Sequence, residues 1–133
     1  KYTSISSVNK TSVRVMINPG GTNERFARSQ LTGANITVHP VNEEIPEKIS
    51  KGEADIMVTE IMEGLIYAKE LDNIAAPLYQ TPFTNGKIGV LIKKSRRGNR
   101  LKRKLNRWLK AKEEDGTLQN LREKYIPYPK NTE

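Results

Sequence analysis

Three short, nearly unbroken apolar runs constrain this chain most: VRVMI at 13–17, ITVH at 36–39 and DIMVT at 55–59. Runs of this kind suit strands covered on both faces, the pattern of a parallel sheet rather than of a sheet with one wet side. Each run is followed by stop residues and then by helical spacing. After the first comes the turn Asn18-Pro19-Gly20-Gly21. Thr22 or Asn23 can then cap a helix that carries Phe26, Ala27 and Leu31 on one face and ends at Gly33. After the second, Pro40 closes the strand and Asn42 is the next N-cap, with Glu43 and Glu44 set against the helix dipole. Ile45 and Ile49 lie one turn apart there, Pro46 fits only in the first turn, and Gly52 is the stop. The third run leads into a helix over about 61–71, with Met62, Leu65 and Ile66 as its expected buried stripe. Strand and helix alternating three times at this spacing predict an α/β fold, a parallel βαβαβα lobe with right-handed crossovers.

Around that lobe the chain divides into three stretches. Residues 1–12 are Ser-, Thr- and Asn-rich and read as an irregular lead-in. Residues 13–86 are expected to form the α/β lobe, with 72–86 as an extended, hinge-like connection holding two prolines. Residues 87–133 are expected to add a strand at 88–93 and C-terminal helices packing on the lobe. The first of these helices starts near Arg97, with Leu101, Leu105, Trp108 and Leu109 on one face. Gly116 interrupts it, and Leu118, Leu121 and Tyr125 define a closing helix stopped by Pro127 and Pro129.

Composition excludes whole classes of function. With no Cys there is neither a disulfide nor a thiolate metal site, and a single His rules out a two-His zinc motif. No metal and no cofactor is therefore expected. No apolar run approaches the roughly 18–20 residues of a membrane span, and the first residues lack a signal peptide's charged-then-apolar start. The net charge of +8 is local: residues 93–112 hold 11 of the 23 Lys and Arg and no acid. Because the helix there keeps an apolar stripe, that stripe is expected to be buried and the basic heads to lie in water. Binding of anions by 93–112 is then weak and non-specific.

In a parallel α/β lobe, ligands bind beyond the carboxyl ends of the strands. The rule selects Asn18 to Asn23, His39, and Thr59 to Glu63. In the Asn18–Asn23 turn, Gly21 lets backbone approach a ligand, and the helix start behind it, at Thr22 and Asn23, offers free N–H groups to a carboxylate or phosphate. An ordinary strand-to-helix turn explains the same residues about equally well. Taken alone, Glu60 and Glu63 fit a solvated pair at a helix start better than an acid catalyst, and a single His39 at a strand end is more often structural.

At NPGGTNERFAR (18–28), ITVHP (36–40) and ADIMVTEIME (54–63) the chain resembles the cyclohexadienyl (prephenate/arogenate) dehydratases, which have the type 2 periplasmic solute-binding protein fold. The stretch from Gly86 through DGTLQNLREKYI is similar to the closing strand and helices of amino-acid-binding proteins of that fold. The resemblance implies that Glu63 is the general acid and that Gly21, Thr22 and Asn23 bind substrate carboxylate. His39 and Lys87 fall on positions that match the family, and the strand-end rule adds Asn18 and Thr59 to the residues expected to bind ligand. It also implies an extracellular or periplasmic location and a small carboxylate or amino-acid-like ligand. A first lobe is expected before Lys1, or on another chain, with a homo-oligomer as a further way to close the site. Departures from the family pattern are Glu60, where an Asp is usual, Pro46 and the basic 93–112 stretch. Three functions stay open: a dehydratase lacking its first lobe, a non-catalytic amino-acid-binding module, and a single lobe reused as a secreted interaction domain.

Overall fold

In the computed structural model, which describes residues 1–86 and 88–128, the three apolar runs form one parallel sheet. β1 (Arg14–Ile17) is central, with β2 (Asn35–Val38) on one side and β3 (Ile56–Met57) on the other. Ile17 stands level with Val38 across one ladder, and Met16 with Met57 across the other. β3 is shorter than the five residues expected. At its start the Asp55 side chain, rather than its backbone, accepts the Arg14 amide at 2.8 Å, and past Met57 the chain turns toward the next helix.

The sheet separates two apolar clusters. Val15 and Ile17 point to one face, where they meet Val8, Val13, Ala27, Leu31 and Val58. Met16 points to the other and meets Ile45 and Ala54. Both faces of β1 are covered, as its unbroken apolar run requires. α2 (Thr22–Gln30) supplies Ala27, with Leu31 just past its end, and Phe26 packs against the same cluster. After a 3₁₀ turn (Asn42–Glu44), α3 (Ile45–Ser50) covers the second face, with Pro46 accommodated in its first turn.

The lead-in departs from expectation. Ser4 and Ser7 cap each other reciprocally, giving a short helix, α1 (Ile5–Val8), that delivers Val8 into the core. Asn9 then accepts the Gly33 amide at 2.6 Å, tying this segment to the chain before β2. In α4 (Ile61–Glu70) only Leu65 of the expected stripe is buried, while Met62 and Ile66 are exposed.

The Arg14–Asp55 pair gives this unit an acid-sensitive link. Arg14 donates from its guanidinium at 3.0 and 3.2 Å and from its amide, and these bonds hold the Asp55 carboxyl below its ordinary range. A lowered folded-state pKa stabilises the fold fully above about pH 4, and this contribution is lost as pH falls through the lowered value. Asp55→Asn is expected to flatten that part of the acid limb in a urea-midpoint series from pH 6 to 2. An unchanged acid limb would remove Asp55 from the account.

The chain divides into two compact units, Lys1–Pro82 and Phe83–Glu133. In the second, the expected strand at 88–93 does not form. A strand needs a hydrogen-bonded neighbour, and none pairs with it among the described residues. Ile88, Val90 and Leu91 are exposed, Leu91 at 99%. α5 (Arg96–Glu114) starts at the Ser95 cap, and α6 (Thr117–Tyr125) follows the turn at Asp115 and Gly116. Gly98 is required by close approach, since a Cβ there would sit 1.9 Å from the Lys93 carbonyl oxygen. Arg122 clasps Glu113 with two bonds of 3.0 Å. Asp115, bonded by the Lys112 ammonium and by Thr117, has its carboxyl lowered to about 2.

The stripe Leu101, Leu105, Trp108 and Leu109 was expected to be buried, and it is not: Leu101 and Trp108 are each 53% exposed. No apolar side chain of 83–128 is buried among the described residues. Helical periodicity specifies which face is apolar; it does not supply the surface that covers it. Pro129 lies outside the described residues.

Candidate functional site

Parallel strands send all their carboxyl ends to one edge, and the register levels two of the segments selected from the sequence. The His39 amide donates to the Ile17 carbonyl at 2.8 Å, continuing the β2–β1 ladder past both strand ends. Extending the β1–β2 register beyond Ile17 sets Asn18 level with His39, while Thr59 follows two residues after the end of β3. At about 5 Å between neighbouring strands, Asn18 and His39 are close along the rim, and Thr59 follows the carboxyl end of β3 at the same edge of the parallel sheet. Lys87 lies outside the described residues.

The turn behind Asn18 is built for close backbone approach. Gly20 has φ +83°, in the left-handed region that other residues rarely adopt. Thr22 and Asn23, expected as caps, are instead the first helical residues; Gly21 is the N-cap and no side chain caps the helix. The first intrahelical bond runs from the Arg25 amide to Gly21 at 3.3 Å, so the amides of Thr22, Asn23 and Glu24 precede it. Glu24 reaches back to accept the Gly20 amide at 2.6 Å while its other oxygen takes Arg28 at 2.8 Å. These two bonds pull the Glu24 carboxyl below its ordinary range. One backbone donor of the turn is thus used by the protein's own carboxylate, and the amides of Thr22, Asn23 and Glu24 have no acceptor within the helix.

On the third segment, Glu60 is the N-cap of α4 and is exposed. Glu63, half-buried in the first turn, accepts a short hydrogen bond from the Thr59 hydroxyl. That bond folds the carboxyl back over the end of the third strand instead of letting it extend into water. His39 is half-buried and its Nε2 lies 2.6 Å from Glu44, so its ring is oriented by a neighbour in the next turn.

Tyr67 was missed in the sequence. It stands one helical turn beyond Glu63. Burial first, then the charges of Glu63, Glu43 and Glu70, hold its phenol above the ordinary range and therefore protonated. Glu43 belongs to the 3₁₀ turn after β2, so this shift has contributions from two segments of the chain. The available signal was its i+4 spacing from Glu63. Together the rim segments present the first amides of α2 and a hydrogen-bonded carboxyl at Glu63, with the Tyr67 phenol one turn further along α4. Among the described residues, no group of three or more His, Asp or Glu is arranged to hold a metal ion.

No known family profile matches the chain. It is 32% identical over 128 residues to the cyclohexadienyl dehydratase of Pseudomonas aeruginosa, an alignment covering 96% of this chain and 47% of that protein. A crystal structure of an ancestral cyclohexadienyl dehydratase is 40% identical with a TM-score of 0.62, covering 95% of this chain and 52% of its own. An ancestral amino-acid-binding protein, described as a precursor of cyclohexadienyl dehydratase, superposes with a TM-score of 0.74 at 31% identity, over 93% of this chain and 51% of that one. An ancestral cationic amino acid solute-binding protein gives 0.71 at 30% identity, over 92% and 51%. The chain spans about half the length of the relatives it matches. It has the α/β architecture of part of a solute-binding protein, and it is similar to both the enzyme and its binding-protein precursors.

Proposed function

We propose that this chain is the second lobe of a cyclohexadienyl dehydratase-like protein, exported from the cytoplasm, whose rim takes a small carboxylate such as prephenate or arogenate. The observation that carries the reading is the Thr59–Glu63 hydrogen bond, which fixes a carboxyl over the same sheet edge that presents the open first turn of α2. The Thr22 and Asn23 amides would bind substrate carboxylate, with Asn18 and His39 flanking it and Lys87 as a further cationic contact. In the reaction, the electron pair of the breaking carbon–carboxylate bond moves into the ring as carbon dioxide departs. The ring hydroxyl leaves on the far side of the conjugated system, and protonated Glu63 delivers the proton that makes it water. Prephenate becomes phenylpyruvate, carbon dioxide and water, with no oxidant or cofactor needed.

Amino-acid binding without chemistry is the second reading, favoured by the high structural similarity to two ancestral binding proteins. A binder has no need for a fixed acid at position 63, and this supports the first reading. Positioning and water exclusion come from an opposing surface, which a first lobe on the same or another chain, or a second copy, would provide. The purified 133-residue chain is therefore expected to show no useful conversion of prephenate, and activity is expected to appear when a first lobe is supplied. Rapid turnover by the monomeric chain would contradict this reading.

A further inference from the structure

Glu24 and Arg28 belong to the stretch NPGGTNERFAR, yet carboxylate binding at the Thr22 and Asn23 amides uses neither side chain. Glu24 is the third residue of α2, the position from which a carboxylate commonly reaches back to the N-cap amide. Here it reaches one residue further. Its Oε2 accepts from the amide of Gly20 at 2.6 Å, the N-cap being Gly21, and its Oε1 accepts from Arg28 Nε at 2.8 Å. Arg28 stands one turn along the same helix, a spacing at which the two side chains meet.

A carboxylate inside such a turn acts either as a competitor for the ligand or as a brace for the backbone. A competitor would take the amides the ligand needs. Both Glu24 oxygens are committed elsewhere, and neither accepts from the amide of Thr22 or Asn23. The amide it does take belongs to Gly20, whose φ of +83° lies in the region glycine adopts readily. Two adjacent glycines leave the backbone unusually free, so an unbraced Gly20-Gly21 turn would let the helix start sample many orientations. We propose that Glu24 is a positioning residue: its carboxylate clamps the Gly20 amide, and Arg28 holds the carboxylate, so that the Thr22 and Asn23 amides keep the arrangement that receives the ligand carboxylate. That role rests on the carboxylate binding proposed above. Arg28 also offsets a negative charge that would otherwise repel an arriving anion. The Gly20 bond first, then Arg28, keeps Glu24 ionised to lower pH than an ordinary carboxyl, so the clamp is closed at neutral pH.

The isotopically labelled 133-residue chain is compared by nuclear magnetic resonance with Glu24→Ala, Glu24→Gln and Arg28→Gln, and urea midpoints check that each variant is folded. Backbone order at Gly20 and Gly21, read from heteronuclear relaxation, needs no ligand. It is expected to be high in the native chain and in Arg28→Gln, which keeps the Gly20 bond, and to fall in Glu24→Ala. Glu24→Gln should restore it, since the amide carbonyl can still accept from Gly20. Prephenate is then titrated into the native chain and the two Glu24 variants. Glu24→Ala is expected to bind it about fivefold more weakly, the net worth of one hydrogen bond, and Glu24→Gln to bind near the native level. An ordered Gly20 in Glu24→Ala, or an Arg28→Gln turn as loose as that of Glu24→Ala, would overturn the proposal. Tighter binding by Glu24→Ala would mark a competitor, and unchanged affinity a purely structural bond; each would overturn it as well. Rim amides of the native chain left unmoved by prephenate would instead overturn the carboxylate reading, and Gly20 order would still decide whether Glu24 braces the turn.

Discussion

Ile17→Ala is expected to lower the unfolding free energy of the sheet unit by about 2–5 kcal/mol. Ile17 is fully buried on the central strand and packs with Val58, Ala27 and Leu31, the residues that join β1 to β3 and α2. Truncation removes its buried methyl and methylene groups and leaves a cavity that two neighbouring strands, fixed by their ladders, cannot close. Since domains are stable by only about 5–15 kcal/mol, the variant should unfold at a much lower urea concentration. Val38→Ala is the control. Val38 is level with Ile17 on the neighbouring strand but 42% exposed, and its loss should cost a fraction as much. Equal midpoints for the two variants would show that the core is not where the structure puts it.

Glu63→Gln is expected to reduce dehydration by about 10²–10⁴-fold when the chain works with a first lobe, the contribution typical of a positioned proton donor. Gln is nearly isosteric and its carbonyl can still accept from the Thr59 hydroxyl, so the turn between the third strand and α4 keeps its shape. What is lost is the acidic proton. Substrate affinity should change little, which separates an acid from a binding group: kcat falls while KM stays near its original value. Glu60→Gln, at the exposed N-cap, should leave kcat within a few-fold. A large drop for Glu60 with Glu63 silent would reverse the assignment.

Much of this arrangement was legible from local pattern. The three apolar runs announced parallel strands, although only β1 carries core on both faces and β2 is mostly exposed, and the parallel order levelled Asn18 with His39 once the register was known. Other features depend on what touches what. The α1 helix rests on a reciprocal pair of Ser4–Ser7 bonds too short to leave a periodic trace. Glu24 occupies the Gly20 amide because a helix start lets a side chain fold back, which composition does not reveal. The stripe on α5 and the apolar run at 88–93 were read correctly as apolar and wrongly as covered or paired. Burial is a property of the partner as much as of the residue. Tyr67 escaped notice because its role depends on the charges of Glu63 and Glu43, which approach it from two different segments.

The central claim is that a small carboxylate binds on the rim formed by the three strand ends. Titrating the isotopically labelled chain with prephenate, and following backbone amide shifts by nuclear magnetic resonance, tests it most directly. The amides of Gly21, Thr22 and Asn23 should move together with those of His39, Thr59 and Glu63, along one saturating curve with a single apparent Kd. An open half-site makes that affinity weak, and the shifts should persist when chloride is raised. Shifts confined to the basic helix between Arg96 and Glu114 and abolished by salt, with Thr22 and Asn23 unmoved, would contradict the claim.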